Sequence, residues 1–258
     1  MSKFYLIKTS YAHYYAEVYQ LYDGKLNYMD KIVIGSKKKC LFFSIYFDSS
    51  EPNIDTIGYS EKCSIGDNMH GTLHMIKTGI SFVKKMYQNY LSKNNITYFQ
   101  LKDMSKIHCK SDYKQNLPNY YMMKYGKTWY EKHLGCYPHM LSKQKYEQDK
   151  TSLRNALKSK PDLEFQKKDK IIKEIYKDYD SLEQFFNYID AKYDCRVFKE
   201  WLDKFVFTYM PYLTGLIWRV PIDSTNIIDI DIIHLDNRPK DLFIHMEGGE
   251  HILYQTII

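Results

Sequence analysis

Two features are missing from the sequence: a long apolar run and a paired-cysteine motif. No apolar stretch approaches the roughly 20 residues that a transmembrane helix needs, and residues 1–7 lack the apolar core of a signal peptide. The five cysteines are scattered, odd in number and without a CxxC pair. We therefore expect reduced thiols, no membrane association and a cytoplasmic location, since disulfides are rare in cytosolic proteins.

Strongly basic stretches are also missing. The formal net charge is +6, but arginine is scarce and the lysine-rich stretch at residues 167–170 is short. A nucleic-acid-binding stripe needs longer basic runs with interleaved aromatic residues or arginines. A nucleic-acid-associated accessory protein therefore stays an alternative that rests on the net charge, which attracts anions in general.

Tyrosine is unusually abundant. The 258 residues include 26 tyrosines, and 16 % of the chain is aromatic. A buried tyrosine ring needs a hydrogen-bonding partner for its hydroxyl, and aromatic rings are also common at protein interfaces. The composition predicts a tyrosine-rich core and favours a protein partner.

The spacing of apolar residues predicts an α+β fold with a mixed, mainly antiparallel sheet. The first quarter reads as a meander, with a hairpin turn at Tyr22–Lys25 and its most hydrophobic strand, Leu41–Phe47, at the sheet centre. Apolar residues then repeat every three or four positions over Gly71–Leu91, which predicts an amphipathic helix. A strand at Thr97–Leu101 follows, and such a crossover implies a locally parallel pair.

The stretch Tyr120–Cys136 is predicted to form one helix with defined ends. Asn116 can cap it, and Pro118 falls in the first turn, where its missing N–H has no partner to lose. Gly135 provides the left-handed stop.

Composition shifts divide the chain into three predicted domains. They are an α/β core at residues 1–142, a helical segment at 143–212 and a β-rich C-terminal segment at 213–258. In the helical segment a new helix begins at Ser181 and the last helix ends before Pro211. We expect the C-terminal strands to return to the first sheet.

The order of meander, amphipathic helix, strand and second helix is similar to the core of the GCN5-related N-acetyltransferase superfamily. Residues 129–136, WYEKHLGC, resemble the aromatic-Tyr-Glu-Lys-Leu-Gly-Phe run that ends the fourth helix of that superfamily. The resemblance covers residues 1–140 approximately. It implies an acetyltransferase-like fold, acyl-CoA as a ligand, and Tyr130 as the general acid that protonates the departing thiolate.

The resemblance also places a phosphate-binding loop before the helix at Gly71–Leu91. Its candidate residues are Gly66, Gly71 and Thr72, where backbone N–H groups and the positive helix end would hold acetyl-CoA. The glycine spacing departs from the superfamily pattern Gln/Arg-x-x-Gly-x-Gly/Ala, and Asp67 puts a negative charge beside the expected phosphate. Both departures disfavour an active acetyltransferase.

Three further groups of polar residues are candidate sites. Asp229 and Asp231 alternate with isoleucines over residues 228–232, which predicts a half-buried strand with an acidic solvent face, although the same alternation would allow a divalent cation. The candidate zinc ligands, which match no established zinc spacing, are His245, Glu247 and His251. We expect no metal.

The third group is Cys136 with His133 and His139 beside it. A cysteine–histidine pair can be nucleophilic, but catalytic pairs normally come from separate elements, and these three residues are close in sequence. A structural role is favoured.

The leading hypothesis is a non-catalytic interaction or structural protein on an acetyltransferase-like scaffold, without a cofactor. The alternatives are an acyl-CoA-dependent N-acyltransferase that uses acetyl-CoA and the nucleic-acid-associated accessory protein. The run from Lys124 to Lys132 also resembles uncharacterised proteins of large nucleocytoplasmic DNA viruses. That resemblance implies a viral protein located in host cytoplasm or in the virion.

Overall fold

The computed structural model describes most of the chain. The described residues are 2–22, 28–48, 51–58, 63–65, 71–103, 105–109, 114–139, 141, 143–156, 170–176, 178–243 and 254–255. They form two compact units, of which the first comprises Met1–Lys102 with Arg219–Leu253 and the second Asp103–Trp218 with Tyr254–Ile258. The three domain boundaries drawn from the sequence stay a prediction.

Strands and helices are both abundant, as expected for an α+β protein. The strands are β1 (Lys3–Lys8), β2 (His13–Tyr22), β3 (Tyr28–Gly35), β4 (Lys39–Tyr46), β5 (Asn53–Ile57), β6 (Tyr98–Lys102), β7 (Lys106–His108), β8 (Lys114–Asn116), β9 (Tyr137–Pro138), β10 (Ile217–Pro221), β11 (Asp231–Leu235) and β12 (Tyr254–Gln255). The helices are α1 (Thr72–Met86), α2 (Gln88–Lys93), α3 (Leu117–Tyr125), α4 (Trp129–Leu134), α5 (Lys143–Asn155), α6 (Lys170–Tyr176), α7 (Leu182–Lys192) and α8 (Cys195–Tyr209).

The first unit is built on a mainly antiparallel sheet in the order β11-β1-β2-β3-β4-β5-β6-β10. The pairs from β11 through β5 are antiparallel. Strands β5 and β6 are parallel, with Asn53 opposite Gln100 and Ile54 opposite Leu101. The predicted mixed sheet, the crossover and the central position of β4 are therefore confirmed.

Helix α1 packs closely on β4 because it carries a glycine at the contact. A methyl group added at Gly79 would overlap the side chains of Leu41 and Phe43. The buried residues of α1 include Ile76, Ile80 and Val83, which recur at the helical spacing that predicted this helix. The predicted Gly71–Leu91 helix is divided at Tyr87, which ends α1 and begins α2.

The C-terminal strand returns to the first sheet, as expected, because β11 pairs with β1. It begins at Asp231, three residues later than the strand predicted from Ile228. The preceding segment binds α1 instead of a strand, since the Ile228 N–H donates to the Ser81 hydroxyl at 2.8 Å and Lys85 donates to the Ile230 carbonyl at 3.0 Å. These two contacts use backbone groups that a longer strand would need for pairing.

The second unit contains a small sheet in the order β12-β7-β8 and the helices α3 to α8. Strand β9 lies beside the start of β10, where the His139 N–H donates to the Ile217 carbonyl at 2.8 Å. Aromatic rings fill much of the core of the second unit. Phe185 packs edge-on against Trp201, and Trp201 stacks on Phe205 with ring centres 5.1 Å apart. Ser181 caps α7 through Gln184, as predicted.

The predicted Tyr120–Cys136 helix is two helices, because a glycine interrupts it. Gly126 adopts the left-handed conformation with φ +63°, which ends α3, and Arg154 Nη2 donates to the Gly126 carbonyl at 2.9 Å. The stop at Gly135 is confirmed, with φ +63°. Asn116 is the N-cap residue of α3, but its side chain binds Asp203 rather than a helix N–H.

The cysteines differ from the expectation of reduced thiols. Cys40 pairs with Cys63 in the first unit, and Cys109 pairs with Cys195 in the second. Cys136 is the free cysteine. That expectation is wrong because pairing depends on which cysteines the fold brings together, and these partners are separated by 23 and 86 residues. The described helices include none with the length and apolar character needed to cross a membrane.

Candidate functional site

The candidate acid Tyr130 is positioned by the short helix α4. Thr128 and Glu131 form a capping box at its start, in which the Thr128 hydroxyl accepts from the Glu131 N–H and the Glu131 carboxylate accepts from the Thr128 N–H. Gly135 ends the helix after six residues. Both ends of α4 are therefore fixed by local interactions, and Trp129 and Tyr130 are held in the core.

Tyr130 has no exposed surface. The Trp129 ring lies edge-on to it with ring centres 5.2 Å apart. Burial raises the pKa of the Tyr130 phenol well above its ordinary value, and the nearby Asp103 carboxylate and Cys136 thiol raise it further. Ser105 lies close enough to lower that pKa slightly, but among the described residues the Tyr130 hydroxyl has no hydrogen-bonding partner.

Asp103 is the acidic member of the same cluster and is 1 % exposed. One carboxylate oxygen accepts from the Ser105 N–H at 3.1 Å and from the Ser105 hydroxyl at 2.5 Å. Burial raises the pKa of Asp103 from 3.8 to about 6, although Ser105 and the Trp218 indole lower it in part. The Trp218 N–H affects this pKa without reaching hydrogen-bonding geometry to any described residue.

The cluster also contains the free cysteine, Cys136. Burial raises the pKa of its thiol well above the ordinary value, and the charges of Asp103 and Glu131 act in the same direction. A reactive cysteine needs a lowered pKa and access to its partner, so this thiol is held in its inert form. His133 packs against the rings of Trp129 and Tyr121, and the His139 N–H binds the Ile217 carbonyl.

A second set of buried polar groups is centred on Glu131, the residue after Tyr130. Its carboxylate accepts from Tyr146 Oη at 2.9 Å and from Lys150 Nζ at 2.6 Å, in addition to the Thr128 N–H at 3.1 Å. The Lys150 side chain is 5 % exposed. Sequence reasoning missed this group, although the Thr128-x-x-Glu131 spacing is a recognisable capping box.

The candidate anion-binding residues lie in the first unit. Gly71 is the exposed N-cap residue of α1, which begins at Thr72 and has neither a side-chain cap nor an acidic residue in its first turn. The third residue, Gly66, and the neighbouring Asp67 lie outside the described residues. No side chain of the described residues therefore caps the helix start at Gly71, and Tyr130 belongs to the second unit.

The polar groups considered for metals do not form a site among the described residues. Asp229 and Asp231 are exposed, and Asp231 is the first residue of β11. His245, Glu247 and His251 lie outside the described part. Within the described part no group of three or more His, Cys, Asp or Glu residues has an arrangement that could hold a metal ion.

Tyr130, Asp103 and Cys136 are all buried, and Asp103 accepts two hydrogen bonds from Ser105 within this cluster. Comparison with known proteins adds no assignment: no family model, curated protein or solved structure matches this chain.

Proposed function

We propose that this chain is a non-catalytic interaction or structural protein built on an acetyltransferase-like scaffold. The observation that carries the proposal is the complete burial of Tyr130, the residue on which acyl transfer would depend. A general acid must reach the atom that it protonates, within about 3 Å or through one water. Trp129, Asp103, Ser105 and Cys136 surround the phenol, so an acyl-CoA sulfur could approach it only if the core opened.

The proton affinity of Tyr130 supports the same proposal. A thiol leaving group has an ordinary pKa of about 8.5, whereas burial holds the pKa of Tyr130 well above the ordinary tyrosine value. Transfer of the Tyr130 proton to a thiolate would therefore be energetically uphill. It would also leave a phenolate beside the Asp103 carboxylate, which is the arrangement that raises the pKa.

Exposed aromatic residues in the first unit support the interaction role. Tyr22 and Tyr28 face each other across β2 and β3, are 50 % and 58 % exposed, and have ring centres 5.3 Å apart. Leu21 and Phe47 are also exposed, and the Phe47 N–H donates a hydrogen bond to the Tyr28 carbonyl at 3.4 Å. Tyrosine and phenylalanine concentrated at one end of a sheet suit a protein partner.

The acetyltransferase-like scaffold is part of the proposal. It is supported by an antiparallel meander followed by α1 and a strand parallel to β5. The viral source and the location in host cytoplasm or virion also remain proposals. The cysteines no longer support that location, because four of the five are paired.

Calorimetric titration with acetyl-CoA tests the proposed function. We expect no saturable heat with the native protein at ligand concentrations up to about 1 mM, the upper end of ordinary enzyme KM values. The Tyr130→Phe variant is the matched control and should give the same flat titration. Stoichiometric binding by the native protein would overturn the non-catalytic proposal.

The alternative function is an acyl-CoA-dependent N-acyltransferase, favoured by the geometry of β5 and β6. Their parallel pairing comprises two residue pairs and ends at Ile54 and Leu101, although β5 continues to Ile57. Strand β6 ends at Lys102, so the last residues of β5 have no parallel partner in β6, and the start of α1 at Gly71, which no described side chain caps, offers backbone N–H groups to a phosphate. Transfer of an acyl group that the Tyr130→Phe variant abolishes would establish this alternative.

A further inference from the structure

The two disulfides have different environments. Cys40 and Cys63 are 2 % and 5 % exposed, and they join β4 to the segment after β5 within the first unit. Cys109 and Cys195 are both partly exposed. Their Cα atoms are 5.7 Å apart, and their bond closes a sequence separation of 86 residues. An exposed disulfide can be attacked by a thiolate from solution, whereas a buried one cannot be reached without opening the core.

Cys195 occupies a position that stabilises a thiolate. It is the first residue of α8, a helix of 15 residues, and Asp194 caps that helix by accepting from the Arg196 N–H at 3.0 Å. The N–H groups of Arg196 and Val197 bind Asp194, and the positive end of the helix dipole at this position favours a negative charge on sulfur. Cys109 follows the short strand β7, and no helix of the described residues begins at it. Cys195 is thus the better leaving group of the pair.

A cavity of about 200 Å³ lies beside the bond. Both cysteines line it, together with Tyr120, Asp190, Lys192, Tyr193 and Asp194, whose carboxylate accepts from the Arg196 N–H. Lys124 balances the charge of Asp190, because its Nζ lies 2.7 Å from the carboxylate. The Tyr120 hydroxyl donates a hydrogen bond to the same carboxylate at 2.8 Å. Lys192 is exposed and adds a positive charge to the lining. An anionic thiolate can therefore enter without facing an unpaired Asp190 carboxylate.

We propose that Cys109–Cys195 is a thiol–disulfide exchange site that accepts electrons from a dithiol reductant. The thiolate of the reductant attacks Cys109 Sγ and forms a mixed disulfide, while the Cys109–Cys195 bond breaks and its electron pair leaves on Cys195 Sγ. The second thiolate of the reductant then attacks the other reductant sulfur, which is bonded to Cys109 Sγ in the mixed disulfide. This step releases the Cys109 thiolate and the oxidised cyclic reductant, so that two electrons pass to the protein and two thiols remain after proton uptake.

Graded reduction of the native wild-type protein tests the proposal, with Cys40–Cys63 as the internal control. The protein is equilibrated with increasing dithiothreitol, quenched in acid, and alkylated, and each cysteine-containing peptide is quantified by mass spectrometry. We expect the peptides of Cys109 and Cys195 to be alkylated at an about tenfold lower dithiothreitol concentration than those of Cys40 and Cys63. Reduction of both pairs at the same concentration, or of Cys40–Cys63 first, would overturn the proposal.

A pair of single-thiol variants tests the assigned direction of attack. The Cys109→Ser variant leaves the Cys195 thiol, and Cys195→Ser leaves the Cys109 thiol. At pH 7 the Cys195 thiol should react with iodoacetamide several-fold faster, because the helix start increases its thiolate fraction. Equal rates, or faster reaction of Cys109, would overturn the assignment of Cys195 as the leaving group. If either variant fails to fold, the dithiothreitol titration of the wild-type protein still decides whether the site exists.

Discussion

Adjacent residues of α4 occupy opposite kinds of buried polar environment. Glu131 has three donors, from Thr128, Tyr146 and Lys150. The Tyr130 hydroxyl, one residue earlier, has no partner among the described residues. A satisfied buried network stabilises and specifies a fold, whereas an unsatisfied group retains the cost of its lost hydration. The sequence resemblance drew attention to Tyr130, but the interactions that hold α4 in place belong to Glu131.

Loss of the Glu131 carboxylate should have the largest effect. Glu131→Ala removes the charge opposite Lys150, whose side chain is 5 % exposed, and also removes the capping box. We expect a loss of about 3 kcal/mol in the free energy of unfolding, because the buried Lys150 would keep only the exposed Glu147 as its acidic partner and α4 would lose its cap. Urea unfolding, monitored by circular dichroism, measures this loss in the free energy of unfolding.

The control for that variant is Glu147→Ala. Glu147 is the other acidic partner of Lys150, at 3.0 Å, and its side chain is 52 % exposed. An exposed pair contributes under about 1 kcal/mol. Equal losses in the two variants would show that Glu131 is no more important than a surface partner.

Asp103 should make stability depend on pH. Its pKa is raised to about 6 in the native state from an ordinary value of 3.8. The native state therefore binds the proton more tightly than the unfolded state does, so its contribution is complete below about pH 4 and is lost as the pH rises through 6. The loss is of the order of 3 kcal/mol.

The Asp103→Asn variant isolates this effect. It keeps an oxygen that can accept both Ser105 hydrogen bonds, which end on the same Asp103 atom. We expect the wild-type stability minus the variant stability, measured by urea unfolding at each pH, to fall between pH 4 and pH 7. A constant difference would mean that Asp103 titrates normally.

Removal of the Tyr130 hydroxyl should have a smaller effect of opposite sign. Tyr130→Phe deletes a buried hydroxyl without a described partner, so the free energy of unfolding should rise by about 1 kcal/mol. Tyr146→Phe is the matched control, because it removes a hydroxyl that donates to Glu131 at 2.9 Å and should be destabilising. Destabilisation of both variants to the same extent would contradict the comparison between the two groups.

The exposed aromatic residues should contribute least to stability. Tyr28→Ser, at a position that is 58 % exposed, should change the free energy of unfolding by at most about 0.5 kcal/mol. A thermal melt of the variant beside the wild type measures this change. A loss of 2 kcal/mol or more would mean that Tyr28 serves the fold and is not available to a partner.

The elements of both units that could be predicted from the sequence are those whose signals are local and periodic. The helix at α1, the β5–α1–β6 crossover and the stop at Gly135 follow from spacing and from glycine. The break at Gly126 was missed because a glycine inside a helical pattern is often tolerated. Here Arg154, 28 residues later, stabilises the break by binding the Gly126 carbonyl.

The buried polar groups could not be predicted as readily, because their members come from distant segments. Asp103 and Trp218 are separated by more than a hundred positions, and no spacing rule relates them. The disulfide between Cys109 and Cys195 is hidden for the same reason. Tyr130 was found through a resemblance, but its burial depends on how the second unit packs around α4.

Tyr130 is an enclosed core residue, and we propose that the chain has no acyl-CoA site. Isothermal titration of the native, disulfide-bonded protein with acetyl-CoA at pH 7 measures this most directly. We expect heats of dilution alone, with no difference between the wild type and Tyr130→Phe. A one-to-one complex with a dissociation constant in the micromolar range would contradict it.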